Sequence, residues 1–314
     1  MIRGLYTAAS GMLAMQRRQE ALANNLANVN TPGYKADEGV LRAFPEQLLS
    51  RIRDPEGPTV DGLPNFTGQP VPIGTLHTGV YMSEALPIFT QGDIIETKNP
   101  YDLALMDNLP PVEGEDGRPV KRSLFFGIAR MDDPAQPLTD PAQIRYTRNG
   151  NFNVNADGYL VTPDGYYVLD NQNRAIRLND PQGISTGDRV VFNERGELFL
   201  PGPAGLDEAD PTQQLGYSLG LKLVTDPNQL IREGNNVFRW GGQGQPADLD
   251  PYDPAVQGFF GVKQGWVERS NVDSTKTMTD MMAVLRAYEA NQRVITTLDG
   301  TLDKAVNEVG RVNG

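Results

Sequence analysis

Few residues in this chain are of the types that perform nucleophilic, acid–base or metal chemistry. The 314 residues include no cysteine and a single histidine, His77. Thiolate catalysis, zinc–sulfur sites and disulfides are therefore excluded, as is any scheme that needs two imidazoles. His77 stands between Leu76 and Thr78 without a second ligand type beside it. We interpret it as an ordinary histidine and expect neither a metal site nor a cofactor.

One serine has the spacing of a catalytic nucleophile. Gly183-Ile184-Ser185-Thr186-Gly187 matches the G-x-S-x-G pattern of the α/β-hydrolases. Those enzymes carry their histidine after the serine, whereas His77 precedes it. The surrounding residues also lack a strand–turn–helix pattern, so we interpret the segment as a plain turn.

Acidic residues leave one route to catalysis open. Asp248, Asp250 and Asp253 resemble a calcium loop, but Asp253 and Phe259 stand where that loop requires glycine and glutamate, which favours a solvated acidic loop. Two carboxylates across a cleft could cleave a glycosidic bond, and sequence spacing does not show which carboxylates meet. An extracellular carbohydrate-binding or glycoside-cleaving β domain is therefore the alternative from another class. Apart from it we predict no enzyme and no catalytic residue.

Charge and turn-forming residues divide the chain into three zones. Residues 1–40 hold four basic and three acidic side chains, and residues 266–314 hold six and seven. Residues 41–265 hold 18 basic and 30 acidic side chains, which accounts for the whole net charge of −12. Glycine and proline are also concentrated in this middle zone. Such an acidic chain is disfavoured as a general nucleic-acid binder.

The first zone predicts a helix with a narrow apolar stripe. Steps of three and four residues connect Leu5, Ala8, Met12, Met15, Gln19, Leu22, Leu26 and Val29. The helix should end near Asn28–Asn30, since Thr31-Pro32-Gly33 cannot continue it. Arg3 and the uncharged stretch 4–15 superficially resemble a secretory signal, but the stripe runs on past them. We therefore expect no cleaved signal, and no apolar run approaches the ~18 residues of a membrane span.

The last zone predicts a longer helix of the same kind. The same steps connect Met278, Met281, Leu285, Tyr288, Gln292, Ile295, Asp299, Leu302, Val306 and Val309. Asn271, Asp273 and Ser274 are candidate caps for its start. We predict that the apolar residues of the two stripes, other than Ala8, form the assembly interface. They are Leu5, Met12, Met15, Leu22, Leu26, Val29, Met278, Met281, Leu285, Tyr288, Ile295, Leu302, Val306 and Val309.

The middle zone predicts short antiparallel strands. Turns at Asn155–Gly158, Thr162–Gly165 and Asn193–Gly196 separate strand-like segments and indicate hairpins. Residues 201–214 and 241–256 have the composition of loops. The expected fold is a mainly β central domain, a sandwich or barrel, with N- and C-terminal helices that pair as a coiled coil. The expected division is 1–35 (assembly helix), 36–72 (extended proline-rich connector), 73–265 (β-rich domain) and 266–314 (assembly helix).

Two narrow stripes at opposite ends leave two packing schemes open. The helices could pack on the central domain, which requires an apolar platform and usually a wider stripe. They could instead pair with each other and with copies of themselves, and Gln19 and Gln292 would then fix the register.

The residues themselves resemble a known family. Ser10-Gly11-Met12 and Asn24-Asn25-Leu26-Ala27-Asn28-Val29-Asn30-Thr31-Pro32-Gly33-Tyr34-Lys35 are similar to the N-terminal signature of bacterial flagellar axial proteins, the rod and hook family. Ser270-Asn271-Val272-Asp273 and Arg286-Ala287-Tyr288-Glu289-Ala290-Asn291-Gln292 resemble its C-terminal signature. Segments 89–93, 99–105 and 146–152 follow the pattern of its first β domain. The likeness is strongest to the distal-rod type, which includes the hook-basal-body paralogues of Gram-positive flagella. Residues 108–121 depart from it as a proline-rich acidic insertion.

The resemblance implies a structural subunit of the flagellar rod that polymerises into a hollow axial filament in the basal body, outside the cytoplasmic membrane. The implied partners are copies of the chain, other rod and hook proteins, and the flagellar type III export machinery. Nucleic acid, a small-molecule substrate and a membrane span are not expected. A hook or proximal-rod subunit of the same family is the alternative.

Overall fold

The computed structural model describes residues 2–51, 71–76, 78–113, 117, 119–178, 190–202, 205–234, 236–254 and 256–309. Three features singled out in the sequence lie outside the described residues. They are His77, the serine segment Gly183–Gly187 and the tip of the acidic insertion. Within them, contacts divide the chain into two units. Unit 1 holds Met1–Asn24, Asp37–Leu86 and Thr275–Gly314, and unit 2 holds Asn25–Ala36 and Pro87–Ser274.

Two long helices lie near the chain ends, as the apolar stripes predict. Helix α1 spans Ile2–Ala27 and helix α2 spans Ser274–Lys304, with a π-helical continuation over Ala305–Val309. Turns occupy residues 28–30 after α1, just before Pro32. Neither helix of the described chain combines the length and apolarity that a bilayer span needs.

Strands fill the described chain between the helices. In order they are β1 (Asp37–Ala43), β2 (Gln47–Arg51), β3 (Val71–Leu76), β4 (Val80–Pro87), β5 (Ile94–Glu96), β6 (Leu103–Asp107), β7 (Val112–Glu113), β8 (Pro119–Val120), β9 (Ser123–Ala129), β10 (Arg145–Thr147), β11 (Asn153–Val154), β12 (Leu160–Val161), β13 (Tyr167–Val168), β14 (Val191–Phe192), β15 (Glu197–Gly202), β16 (Gly205–Ser218), β17 (Leu221–Val224), β18 (Leu230–Gly234), β19 (Val237–Trp240), β20 (Ala247–Asp248), β21 (Phe260–Gln264) and β22 (Trp266–Glu268). The chain is therefore mainly β.

Unit 1 combines the helices with two strand pairs, β1–β4 and β2–β3. Strands β1 and β2 fall in the segment expected to be an extended connector. Helix α1 lies close to the strand pair: the backbone N–H of Val80 donates to Ser10 Oγ at 3.3 Å. A Cβ at Gly39 would lie 2.7 Å from the terminal carbon of Met82.

Unit 2 is built on a nine-stranded open sheet. The hydrogen-bonded path runs β11-β12-β13-β9-β10-β19-β18, and β17 joins it through β9 and β20. Its described strand pairs are antiparallel, as predicted. A barrel would require the ends β11 and β18 to pair, whereas the described sheet is open. Smaller sheets, β14-β15-β16, β6-β21, β5-β22 and β7-β8, complete the unit.

Strand β9 lies at the centre of the core. Every residue of Ser123–Ala129 is buried, because a nearly continuous apolar run can bury both faces of a strand. One face supplies Leu124, Phe126 and Ile128 to the larger apolar cluster. The other face supplies Phe125 to a second cluster, with its ring 6.1 Å from that of Phe238.

The predicted hairpins are confirmed. Strand β11 pairs with β12, β12 with β13, and β14 with β15. In the first turn Asn155 Oδ1 accepts the backbone N–H groups of Asp157 and Tyr159 at 3.1 and 2.8 Å, and Gly158 adopts φ +82°. The asparagine-to-glycine spacing therefore defines the turn through hydrogen bonds to the asparagine side chain.

One loop prediction was wrong, because residues 201–214 belong largely to β15 and β16. Proline and glycine in this segment suggest a loop, but irregular register shifts let β15 and β16 accommodate them: Pro201 pairs with Ala209 and Gly202 with Gly205. The described residues of 241–256 are mostly turns and irregular chain, as predicted, with the two-residue strand β20 among them. Insertion 108–121 contains the short pair β7–β8.

Candidate assembly site

The stripe of α1 is half-buried in the single chain. Ala8 and Ala14 are buried, and Leu5, Met12, Met15, Leu22 and Leu26 are partly buried, as is Val29 just beyond the helix. On other faces of the helix, Tyr6 is 67% exposed and Leu13 is 63% exposed. These two exposed side chains lie seven residues apart, so they share one side of the helix.

The inward face of α2 differs from the stripe that the sequence suggests. Met281, Tyr288, Ile295 and Leu302 are partly buried, as the stripe predicts. The alternate positions are displaced by one residue, because Thr277 and Val284 are buried whereas Met278 and Leu285 are exposed. Asn291 and Leu298 continue the inward face, and Gln292 and Asp299 are exposed. Val306 is exposed, and nothing is described of the Val309 side chain.

Two glycines of α1 lie against α2. A Cβ at Gly4 would be 3.3 Å from Leu298 Cδ1, and a Cβ at Gly11 would be 2.8 Å from Asn291 Nδ2. The two contacts lie seven residues apart on each helix. The residue number rises from Gly4 to Gly11 on α1 while it falls from Leu298 to Asn291 on α2. The helices are therefore antiparallel where they meet, and small residues allow the close approach.

The exposed apolar residues of α2 form a second face. Met278 is 50% exposed, Met282 54% and Leu285 38%. Their spacing of four and three residues places them on one side of the helix. This face remains accessible in the single chain, next to the face that meets α1.

Residues Gly33, Tyr34 and Lys35 of the N-terminal motif contact several distant segments of unit 2, and we call this group the hub. The backbone N–H of Gly33 donates to the Glu268 carbonyl at 2.7 Å, and Gly33 adopts φ +68°. A Cβ there would lie 2.5 Å from the backbone nitrogen of Asn149, so only glycine fits. The Tyr34 hydroxyl donates to Asn25 Oδ1 at 3.1 Å. The Arg232 guanidinium lies 4.7 Å from the centre of the Tyr34 ring and donates to the Lys35 carbonyl.

The rest of this motif lies in the turn that follows α1. Thr31 Oγ1 donates to Asn28 Oδ1 at 3.1 Å, and the Pro32 carbonyl accepts from Asn236 Nδ2 at 3.0 Å. Asn24 and Asn30 are exposed.

Four ionised side chains meet beside the hub, all of them buried. Lys35 Nζ lies 2.6 Å from Glu268 Oε1. Arg148 binds the other oxygen of Glu268 through Nε at 2.9 Å, and binds Asp107 Oδ2 through Nη1 at 2.9 Å. We call Lys35, Asp107, Arg148 and Glu268 the ion cluster. Two positive and two negative charges balance in it.

Backbone groups satisfy the remaining polar atoms. Lys35 Nζ donates to the Thr90 carbonyl at 2.7 Å, and Arg148 Nη1 to the Leu124 carbonyl at 2.7 Å. The backbone N–H of Gly92 donates to Glu268 Oε1 at 2.9 Å. Buried charges are tolerated in proteins only with such pairing and hydrogen bonding.

Burial and neighbouring charges shift the titration of the cluster. Burial lowers the pKa of Lys35 and the charge of Arg148 lowers it further, while Glu268 opposes both only in part. Burial would raise the pKa of Glu268, but Arg148 and Lys35 outweigh burial and hold that pKa below 4.5. For Arg148, burial disfavours the charged form, yet Glu268 and Asp107 raise its pKa above the usual value. The carboxylate of Glu268 is thus ionised and fully engaged.

The C-terminal motif closes the hub from the other end of the chain. Asn271 Oδ1 accepts the backbone N–H of Ala36 at 2.7 Å, and Asn271 Nδ2 donates to the Ile88 carbonyl at 2.7 Å. Val272 is buried beside it. The remaining motif residues lie on α2, where Arg286 is exposed and Tyr288 and Asn291 are partly buried.

The three aspartates that resemble a calcium loop, Asp248, Asp250 and Asp253, are among the described residues. Asp248 forms an ion pair with the buried Lys222, and Asp250 Oδ1 accepts the backbone N–H of Tyr252 at 3.0 Å. Among the described residues no group of three or more acidic or histidine side chains is arranged to hold a metal ion.

The motif residues join chain segments that are far apart in sequence, and both helices carry exposed apolar side chains. Comparison with known proteins identifies the family. The family model described as flagella basal body rod protein matches residues 5–35, that of the flagellar hook protein FlgE/F/G D1 domain matches 137–199, and that of the flagellar basal body rod FlgEFG protein C-terminal matches 263–308.

Full-length relatives agree. The chain is 36% identical to the flagellar hook-basal body complex protein FlhO of Bacillus subtilis, over 99% of this chain and 100% of that protein. It is 34% identical to the flagellar basal-body rod protein FlgG of Agrobacterium fabrum, over 95% of this chain and 96% of that protein. It is 29% identical to FlgG of Bacillus subtilis, over 98% and 99% of the two chains. The chain belongs to the flagellar basal-body rod and hook-basal body family.

Proposed function

We propose that this chain is a structural subunit of the flagellar rod and that it polymerises through its terminal helices into a hollow axial filament. The observation that carries the proposal is the exposed apolar face Met278–Met282–Leu285 on α2. Relatives named as basal-body rod proteins, aligned over nearly the whole chain, support the same assignment.

The second apolar face supports contact with other copies. Met278, Met282 and Leu285 lie outside the surface that meets α1, so their burial requires another molecule. Contiguous exposed apolar side chains mark interaction sites, and each Å² that leaves water contributes about 25 cal/mol. Tyr6 and Leu13 form another exposed apolar surface, on α1.

The two apolar faces are chemically different, which favours an open assembly. Contacts between unlike surfaces of identical subunits generate helical filaments when the rotation does not close. A methionine-rich face on α2 meeting an aromatic and leucine face on α1 of the next subunit would be such a contact. In this arrangement α1 and α2 pair as an antiparallel coiled coil, which the approach of Gly4 to Leu298 and of Gly11 to Asn291 supports.

The proposed division of labour differs from the boundaries expected from the sequence. Helices α1 and α2 serve assembly, and unit 2, to which residues 33–35 and strand β22 also belong, forms the β-rich exterior. The predicted interface residues on α1 and α2 bury further against neighbouring subunits. The subunit is exported by the flagellar type III machinery and joins copies of itself and other rod and hook proteins in the basal body, outside the cytoplasmic membrane.

Leu285→Asp tests the interface. A carboxylate at this exposed position leaves the folded chain unchanged but places an unpaired charge in the contact between copies, so we expect polymerisation to fail. Leu13→Asp should act in the same way from the exposed apolar surface of α1. The measurement is sedimentation and electron microscopy of the purified chain under polymerising conditions.

The matched control is Ile231→Asp, which introduces the same charge at an exposed apolar residue of β18. Ile231→Asp should polymerise normally. Normal filaments from Leu285→Asp would overturn the interface assignment.

Microscopy of a deletion strain separates rod from hook. We expect basal bodies whose growth stops within the rod, because later axial subunits need the missing segment as their base. A complete rod that lacks only the hook would assign the chain to the hook instead.

A further inference from the structure

The β-rich unit 2 is closed by residues that stand far apart in the chain. Lys35 and Glu268 are separated by 233 positions and meet at 2.6 Å. Ala36 and Asn271 are separated by 235 positions and meet at 2.7 Å. Strand β22, which carries Glu268, pairs with β5 through the register Glu268 with Ile94 and Val267 with Ile95.

Glu268 lies where these connections converge. Its carboxylate binds both cations of the ion cluster and the backbone N–H of Gly92. Its backbone carbonyl accepts from Gly33. A side chain at Gly92 would approach the Arg269 carbonyl to 2.1 Å, so this segment is fitted tightly against the chain following Phe89.

Charge balance makes Glu268 necessary for the closed state. Without its carboxylate, Lys35 and Arg148 would share the single charge of Asp107 in positions that solvent does not reach. Removing one member of a buried ion pair is strongly destabilising because the partner's charge loses its compensation. The remaining cations therefore oppose burial until Glu268 arrives.

Glu268 is also the last of the four to be made. A chain is synthesised from its N-terminus, so Lys35, Asp107 and Arg148 all exist before Glu268 does. We propose that Glu268 is the closing residue of unit 2: its carboxylate completes the ion cluster, and the β-rich unit folds in a single late step that needs the chain to be complete through Asn271. Unit 2 of a chain that ends before Asn271 therefore stays unfolded.

Pulsed hydrogen exchange during refolding of the full chain tests the order of events. The amides of hairpin β11–β12 and those of the pair β5–β22 should gain protection in one kinetic phase. Protection of β11–β12 in a clearly earlier phase would overturn the proposal, because the sheet would then form without the closing segment.

Three variants of the full chain test the role of charge. Glu268→Gln keeps the shape of the side chain and removes its charge, and it should slow the closing phase about tenfold or more. Glu96→Gln is the matched control, since Glu96 is exposed and lies on β5 of the same strand pair. It should leave the rate unchanged.

The double variant Lys35→Met with Glu268→Gln distinguishes charge balance from packing. It leaves Arg148 paired with Asp107, one charge of each sign, so the closing phase should recover part of the rate lost in Glu268→Gln. A double variant that folds as slowly as Glu268→Gln, or more slowly, would contradict the proposal. These measurements concern the single chain, so their outcome is independent of where the subunit assembles.

Discussion

At the scale of single residues, the family motifs are explained by contacts that hold the chain together. Gly33 is required by a positive φ and by the proximity of Asn149. Asn271 is required because its amide bonds both Ala36 and Ile88.

None of the four members of the ion cluster is among the site residues that the sequence predicts. Lys35 and Arg148 stand inside motifs that the sequence already marks, and Glu268 lies two residues before Ser270. Nothing in a linear sequence states that residues 233 positions apart are 2.6 Å apart, because periodicity reports only local faces. The sequence therefore does not predict the ion cluster, although Lys35 and Arg148 stand inside segments that resemble the family.

Arg148→Met tests the energetic importance of the ion cluster. It leaves the carboxylates of Asp107 and Glu268 buried with a single cation, and we expect a loss of about 3–5 kcal/mol in the free energy of unfolding. Urea unfolding of unit 2 measures it. Arg239→Met, which removes an ion pair with Glu233 at a 44% exposed arginine, should cost about 1 kcal/mol or less. Equal losses in the two variants would refute the assignment.

The lowered pKa of Glu268 predicts a specific pH dependence. Between its folded pKa and the usual 4.5, the unfolded chain binds more protons than the folded chain. The stabilisation is therefore fully present above 4.5 and is lost as the pH falls through the folded pKa. Urea midpoints from about pH 5 to pH 3 should fall more steeply for the natural chain than for Glu268→Gln. Parallel curves would show that another carboxylate controls acid unfolding.

At the scale of elements, helix existence and hairpins could be predicted, whereas the inward face of α2 could not. Both Met278/Leu285 and Thr277/Val284 satisfy steps of three and four from Met281, and apolarity favours the first set. The chain buries the second set instead, because α1 presents glycines at positions 4 and 11, which fit Asn291 and Leu298. The spacing of apolar residues in α2 is therefore compatible with either face packing against α1.

Gly11→Ala tests the helix contact. Alanine is favoured over glycine in a helix by about 1 kcal/mol, but its Cβ would lie 2.8 Å from Asn291 Nδ2. We expect no gain in the thermal midpoint of the helices, or a loss. Gly300→Ala is the matched control, since a Cβ there meets nothing within 4 Å and should raise the midpoint.

Adding Asn291→Ala to Gly11→Ala should restore the gain by removing the obstructing amide. Helical circular dichroism of the full chain follows all three variants. A rise with Gly11→Ala alone would mean that the helices do not meet there.

At the scale of the whole molecule, the net charge of −12 is confined to residues 41–265, and the two helical ends are nearly neutral. Acidic side chains keep subunits soluble by mutual repulsion. In the proposed assembly through the ends, no strong like charge enters the contact. This division could be read from composition alone.

Hydrogen exchange on the soluble monomer tests whether the ends await partners. Long helices gain most of their stability from packing, and an exposed apolar face leaves that packing incomplete. We expect amides in 1–24 and 275–309 to exchange faster in the monomer than in the filament. Strong protection of both segments in the monomer would show that the helices are already stable as a pair.

The two tryptophans of the chain have a practical consequence. Trp240 and Trp266 both lie in unit 2, on β19 and β22, and the Lys263 ammonium lies 3.5 Å from the centre of the Trp266 ring. Indole emission therefore reports on the β-rich unit alone, whereas most of the helical signal comes from unit 1. One unlabelled sample, followed with two optical signals, can separate the ordering of the helices from the folding of unit 2. Trp266 stands two residues before Glu268, so its emission reports directly on the segment that completes the ion cluster.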